Sequence, residues 1–221
     1  MTTKSVTAGI AGLLVGLLCA AACQGGIMSD PAGMNGWKNV VRFSHTSGYV
    51  VIDVQYCVYA PGQFPYWPGG VDPTGGEDYV YAYEIYNNIT PKNGKDYISM
   101  LTVGLSGRDE DPANVSYVPG TQQSPTTSRF NPTTGTPTSA VWSFSSPSLG
   151  YGSISDILYY SSPYGPEMDN STATGKYGVG VTRQVPSPTP EPATLILLSL
   201  GLAVACRKPE DRCRQNGKTA G

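Results

Sequence analysis

The sequence predicts an all-β protein: a single antiparallel β-sandwich, flanked by an N-terminal signal peptide and a short C-terminal hydrophobic helix. Three observations carry this. Apolar residues alternate with polar ones in several short segments, the period expected when one face of a strand is buried. The 27 glycines and 19 prolines, with Ser and Thr, fall largely between those segments as turn chemistry. No sustained helical period appears between residues 30 and 185, and the two long apolar runs lie at the chain ends.

Tyr49 to Tyr59 is the clearest strand, with Val50, Ile52, Val54, Tyr56 and Val58 on the core face. Tyr49, Val51, Asp53, Gln55, Cys57 and Tyr59 share the other, half-wet face. Pro61-Gly62 ends it and opens a loop through Phe64, Tyr66, Trp67 and Gly75-Gly76. Tyr79 to Tyr86 is a second strand, presenting Tyr79, Tyr81, Tyr83 and Ile85 together; Asn87-Asn88, Pro91 and Asn93-Gly94 then read as a turn. Tyr97 to Leu105 is a third, with Leu101, Val103 and Leu105 in register. These three strands are expected to be antiparallel neighbours, because the links between them are too short for a crossover helix. Ser106 to Thr138 is polar and rich in Pro, Ser and Thr, so a long loop or irregular edge is expected, docked by Arg129-Phe130. Ala140, Trp142 and Phe144 share the face of a further strand, Ile157 to Tyr160 forms a short one, and Tyr177, Val179 and Val181 line the last. Six or more short strands without helices argue for the sandwich.

The residues that could carry chemistry are few. The single histidine, His45, excludes a zinc site built on several imidazoles and disfavours a catalytic triad; it reads as a polar loop or strand-edge residue. Gly104-Leu105-Ser106-Gly107 is not a nucleophile elbow, because its second glycine comes one position early. Asp109-Glu110-Asp111 lacks any calcium-loop spacing and reads as a solvated acidic loop. Asp53 and Glu84 would form a glycosidase pair only if the fold brought them about 5–10 Å apart, and strand carboxylates on a wet face are the commoner case. Phe64, Tyr66 and Trp67 are candidate glycan contacts as an aromatic platform; the competing reading folds them back over the sandwich edge. No metal site, cofactor or catalytic residue is expected.

The chain ends concern placement. Lys4, the apolar stretch Ala8 to Leu18 and Ala20-Ala21-Ala22 have the order of a secretory signal peptide over residues 1–22, with Ala20 and Ala22 flanking the cleavage position. Two alternatives stay open: lipidation of Cys23, disfavoured by Ala20 where lipoprotein signals usually have Leu, and cleavage a few residues later, near Gly25-Gly26. At the other end Pro190-Glu191-Pro192 precedes the uncharged run Ala193 to Cys206 and a tail, residues 207–221, opening with Arg207-Lys208. As a helix that run spans roughly 21 Å against roughly 30 Å of hydrocarbon, short for a permanent anchor. Its flanking positive charge places everything before Pro190 outside the membrane. Residues 27–184 are left as the ectodomain, with 185–192 as a Pro-rich, extended and exposed spacer. Between residues 27 and 189 eight Lys or Arg face thirteen Asp or Glu, a net of −5 with no basic stripe, so nucleic acid is excluded as a partner. Cys57 reads as a small, partly buried strand residue, with a Cys23–Cys57 bridge as the alternative.

Pro190-Glu191-Pro192, the apolar run and the basic cluster resemble, in that order, the PEP-CTERM sorting tail. The resemblance implies signal peptidase and an exosortase as partners during export, and transient insertion in the inner membrane. It then implies placement at the cell surface or in an exopolysaccharide matrix. It also implies a bacterial host, in which the sequons at Asn88, Asn114 and Asn170 carry nothing. Val58-Tyr59-Ala60-Pro61-Gly62, Tyr79 to Ile85 and Ser161-Ser162-Pro163-Tyr164 are similar to the β-rich ectodomains that commonly precede such tails, most of which have no assigned activity. The expected function is therefore a non-catalytic exported surface or matrix protein, with a carbohydrate-binding module as the alternative.

Overall fold

The computed structural model describes residues 26–87, 97–105, 112–120 and 122–188. The chain divides into two units, residues 1–189 and 190–221, and the described residues all fall in the first. The expected signal peptide, the Asn88–Gly94 part of the turn, Asp109-Glu110-Asp111, the apolar run and the basic tail lie outside them.

The described part is all-β, as the alternation predicts. Its strands are β1 (Gly33–Ser44), β2 (Val51–Tyr59), β3 (Tyr79–Asn87), β4 (Ile98–Gly104), β5 (Ala113–Val118) and β6 (Thr127–Asn131). They continue with β7 (Ser139–Ser143), β8 (Ser153–Ile154), β9 (Ile157–Ser162), β10 (Pro166–Gly175) and β11 (Gly180–Pro188). Two antiparallel sheets form the sandwich: one runs β1-β2-β3-β9-β5 with β8 continuing alongside β3, the other β11-β10-β4-β7-β6.

Alternation places the core between the sheets. Ile52, Val54, Tyr56 and Val58 of β2, Tyr81, Tyr83 and Ile85 of β3, and Leu158 and Tyr160 of β9 face it from one side. Leu101 and Val103 of β4, Ala140 and Trp142 of β7, Ala173 of β10, and Val181 and Val185 of β11 face it from the other. Tyr81 lies directly opposite Tyr160 in the β3–β9 pairing, and their rings stack at 5.1 Å with planes 9° apart. Tyr83 and Trp142 extend the stack, each 6.2 Å from the Tyr160 ring. Each phenol then needs a partner. The Tyr81 hydroxyl donates to the Tyr164 carbonyl at 2.7 Å, and that of Tyr83 to the Pro186 carbonyl.

Several expectations are corrected. β4 is not a neighbour of β3; it lies in the opposite sheet between β10 and β7. β3 is buried on both faces and so needs a neighbour that is too, a requirement met by β9 and not by β4, whose alternate residues are half-exposed. The polar stretch from Ser106 holds two edge strands, β5 and β6, and Phe130 of β6 docks against Tyr160 with ring centres 6.2 Å apart. Tyr177 does not line the last strand: it sits at φ 60° in the turn before it, and is 76% exposed. The strand runs on through Pro188, paired to Pro166, with Val185 and Ser187 fully buried. Residues 185–188 are therefore part of the sandwich and not an exposed spacer; prolines are tolerated there because β11 is an edge strand. β1 and β10 had no clear alternation. β10 packs through Ser171, Ala173 and Gly175, residues too small to announce a core face.

Candidate functional site

A second apolar cluster lies on the outer face of the β1-β2-β3-β9-β5 sheet, where the sequence predicts a half-wet surface. Asp53 and Gln55 are half-exposed there, but Cys57 and Tyr59 are fully buried. What buries them is the loop after β2. Phe64 and Trp67 fold back onto Tyr59, Val80, Ala82 and Tyr159, joined by Ile27 from the 3-10 turn Ile27–Ser29. Phe64 contacts Tyr59, Tyr66 and Trp67 edge-on, with ring centres 5.1, 5.5 and 5.0 Å away. Trp67 meets Tyr159 at 89°. Phe64 and Trp67 are thus engaged in edge-to-face packing, and neither offers an open face for a sugar ring to stack on. Burial pushes the Cys57 thiol up to about 11, so the free thiol stays neutral and unreactive.

The two strand carboxylates share this outer face as diagonal neighbours, since Asp53 pairs with Tyr86 and Gln55 with Glu84. They do different things. Asp53 receives a two-pronged contact from Arg42, at 2.9 and 3.0 Å, on an exposed edge where such a pair contributes little. Glu84 is buried under the Ile27 turn and accepts hydrogen bonds from the Tyr86 hydroxyl, at 2.8 Å, and from the Ile27 amide. Desolvation raises its pKa above the usual carboxylate value, and those two bonds offset part of the rise. The turn that covers Glu84 fills the space a glycosidase would leave for its substrate. Periodicity puts Gln55, Glu84 and Tyr86 on one face, but nothing in the sequence says that Ile27 and Phe64 will cover them.

His45 sits in the β1–β2 turn, its Nδ1 2.6 Å from the Ser47 hydroxyl. Asn114 donates to Ser161 at 3.0 Å. Among the described residues no group of three metal-ligating side chains gathers, and no helix is long and apolar enough to cross a membrane.

The remaining feature is the chain leaving β11. Ser187 donates to the Gly104 carbonyl at 2.6 Å and Tyr83 holds the Pro186 carbonyl, so the fold is anchored up to Pro188. There a match to a known family begins: residues 188–208 match the one described as PEP-CTERM protein-sorting motif. The chain carries a PEP-CTERM sorting motif. It spans Pro190-Glu191-Pro192, the apolar run and Arg207-Lys208, and it supports exosortase-dependent sorting of an exported protein. No curated protein and no solved structure matches the chain. The PEP-CTERM motif therefore speaks for destination, and the sandwich before it has to be read from its own geometry.

Proposed function

We propose that this protein is a non-catalytic structural component of the bacterial cell surface or its exopolysaccharide matrix. Signal peptidase cuts it after the leader, and an exosortase processes it at Pro190-Glu191-Pro192 while residues 193–206 sit briefly in the inner membrane. The observation that carries this reading is the PEP-CTERM motif starting at the last residue of a self-contained all-β sandwich. The outer-face aromatics support a structural role, since Phe64 and Trp67 are spent on covering the sheet. Binding glycan through Phe64, Tyr66 and Trp67 would require the loop to leave that face and uncover Tyr59 and Tyr159.

The test is export of the full-length chain in a host with and without an exosortase. The parent should be released from the inner membrane only where the exosortase is present. Pro190→Ala with Glu191→Ala should leave a folded protein retained with its tail. Release of that variant at the parental level would refute the sorting role, and specific glycan capture by the parent, lost in Trp67→Ala, would replace the structural reading with the binding one.

A further inference from the structure

Gly26 lies among three oxygen atoms. A Cβ built on it would stand 2.6 Å from the Tyr86 hydroxyl, 2.8 Å from Glu84 Oε2 and 3.1 Å from Gln55 Oε1. These distances are too short for a methyl group unless the ends of those side chains move away. They are hydrogen-bond distances for a nitrogen. The Gln55 Oε1 atom is buried with no hydrogen-bond partner, an orphan acceptor that calls for a donor. Glu84 is buried with two neutral donors and no cation against it among the described residues. The Gly26 carbonyl is already fixed, accepting from the Ser29 amide at 2.9 Å and the Ser29 hydroxyl at 3.0 Å, while no described residue accepts from the Gly26 amide.

We propose that signal peptidase cuts between Gly25 and Gly26, and that the new α-ammonium of Gly26 is captured by Glu84, Gln55 and Tyr86. In the cut, the Gly25–Gly26 C–N bond breaks as water adds its hydroxyl to the Gly25 carbonyl carbon and a proton to the Gly26 nitrogen. The carboxyl proton then passes to the amine, leaving a carboxylate on the leader and an ammonium on the protein. That nitrogen is then tied to nothing but its own Cα. A turn of about 120° about the Cα–C bond carries it into the position the absent Cβ would occupy. Such a turn leaves the Gly26 carbonyl, and with it the Ile27 turn, in place. Glycine alone can make it freely, having no side chain to displace. The ammonium then stands within hydrogen-bond distance of three acceptors. One proton is shared between the Glu84 carboxylate and the Tyr86 oxygen, which lie 2.8 Å apart, and another satisfies the orphan Gln55 oxygen. The leader is compatible, since Cys23 and Gly25 put small residues three before and one before the cut. The inference rests on the signal-peptide reading and refines it.

The experiment is N-terminal sequencing of the exported full-length product, followed by labelling of its α-amine with an amine-selective acylating reagent near neutral pH. The expected product starts at Gly26, and its α-amine reacts at least about tenfold more slowly than that of a Gly-Ile peptide, as a pKa raised by one unit or more requires. Glu84→Gln, checked by circular dichroism to be folded, should return the labelling rate toward the peptide's. A start at Cys23 or any other residue beyond the leader overturns the inference and leaves export standing. A start at Gly26 with peptide-like labelling, or with protection unchanged in Glu84→Gln, overturns the capture. An intact Met1 removes the export reading as well.

Discussion

Raising the pH should unfold this protein in one step, because its core is built on tyrosines. Tyr59, Tyr81 and Tyr160 are fully buried and Tyr83 nearly so. Desolvation is the first cause in each of the four, raising the phenol's pKa well above its ordinary value, with neighbouring tyrosines or Cys57 adding to three of them. Three donate their proton to an oxygen: Tyr59 to Asp30, Tyr81 to the Tyr164 carbonyl and Tyr83 to the Pro186 carbonyl. A phenolate there would face a lone pair in place of the bond it lost. The folded pKa lies above the unfolded one, so the stability they contribute is intact below about pH 10 and is lost as pH rises past it. At pH 11 each tyrosine that ionises only when unfolded costs about 1.4 kcal/mol, and four cost about 5–6 kcal/mol. That is comparable with the whole stability of an ordinary domain, about 5–15 kcal/mol. Circular dichroism and tyrosinate absorbance followed together from pH 9 to about 12 should show two phases. The first phase should leave the β signal intact. The buried ones should ionise with the collapse of the β signal, between about pH 11 and 12. Gradual ionisation of every tyrosine near pH 10 with the β signal intact would refute the reasoning.

Tyr83→Phe removes the donor to the Pro186 carbonyl and leaves a buried acceptor unmet, which should cost about 1–3 kcal/mol in a denaturant melt. Hydrogen exchange should quicken at the Ser187 amide in the same variant. Gly175→Ala would place a Cβ 2.7 Å from Val50 Cγ2 and 2.9 Å from the Tyr49 carbonyl, an overpacking expected to cost about 1–3 kcal/mol by the same melt. The Cys57 thiol, neutral and enclosed, should resist a thiol reagent at pH 8 in the native protein and react at once in denaturant, with peptide mapping to identify the site.

What could be read from the sequence follows from how loudly each strand states its pattern. β2, β3, β4 and β7 carry large apolar residues at every second position, and their core faces are those that alternation assigns. β10 carries the same information in Ser171, Ala173 and Gly175, which occupy a core face without looking apolar. β6 offers Phe130 alone, enough to mark a docking point and too little to mark a strand. Which strands share a sheet was less legible than the strands themselves. Periodicity ranks faces, not neighbours, and only the double-sided burial of β3 and β9 explains why they pair. At the candidate sites, Phe64 and Trp67 could be named, but an exposed platform and a buried lid use the same residues. The Gly26 position was legible only as a second cleavage point; its significance depends on Gln55, Glu84 and Tyr86 converging from two other strands.

The order of strands has a consequence for timing. Any chain that emerges with its N-terminus first, from a ribosome or through a membrane, exposes its elements in sequence. Every strand of the first sheet has appeared by Ser162. The second sheet is still incomplete at that point, because β4 pairs with β10, and β10 with β11. Until residues 166–188 arrive, β4 presents an open edge and Leu101 and Val103 lack part of their cover, the condition under which β-proteins pair with the wrong strand. The next residues after β11 belong to the sorting segment. Completion of the barrier against misassembly and delivery of the sorting signal are therefore consecutive events, separated by no linker in which one could run far ahead of the other.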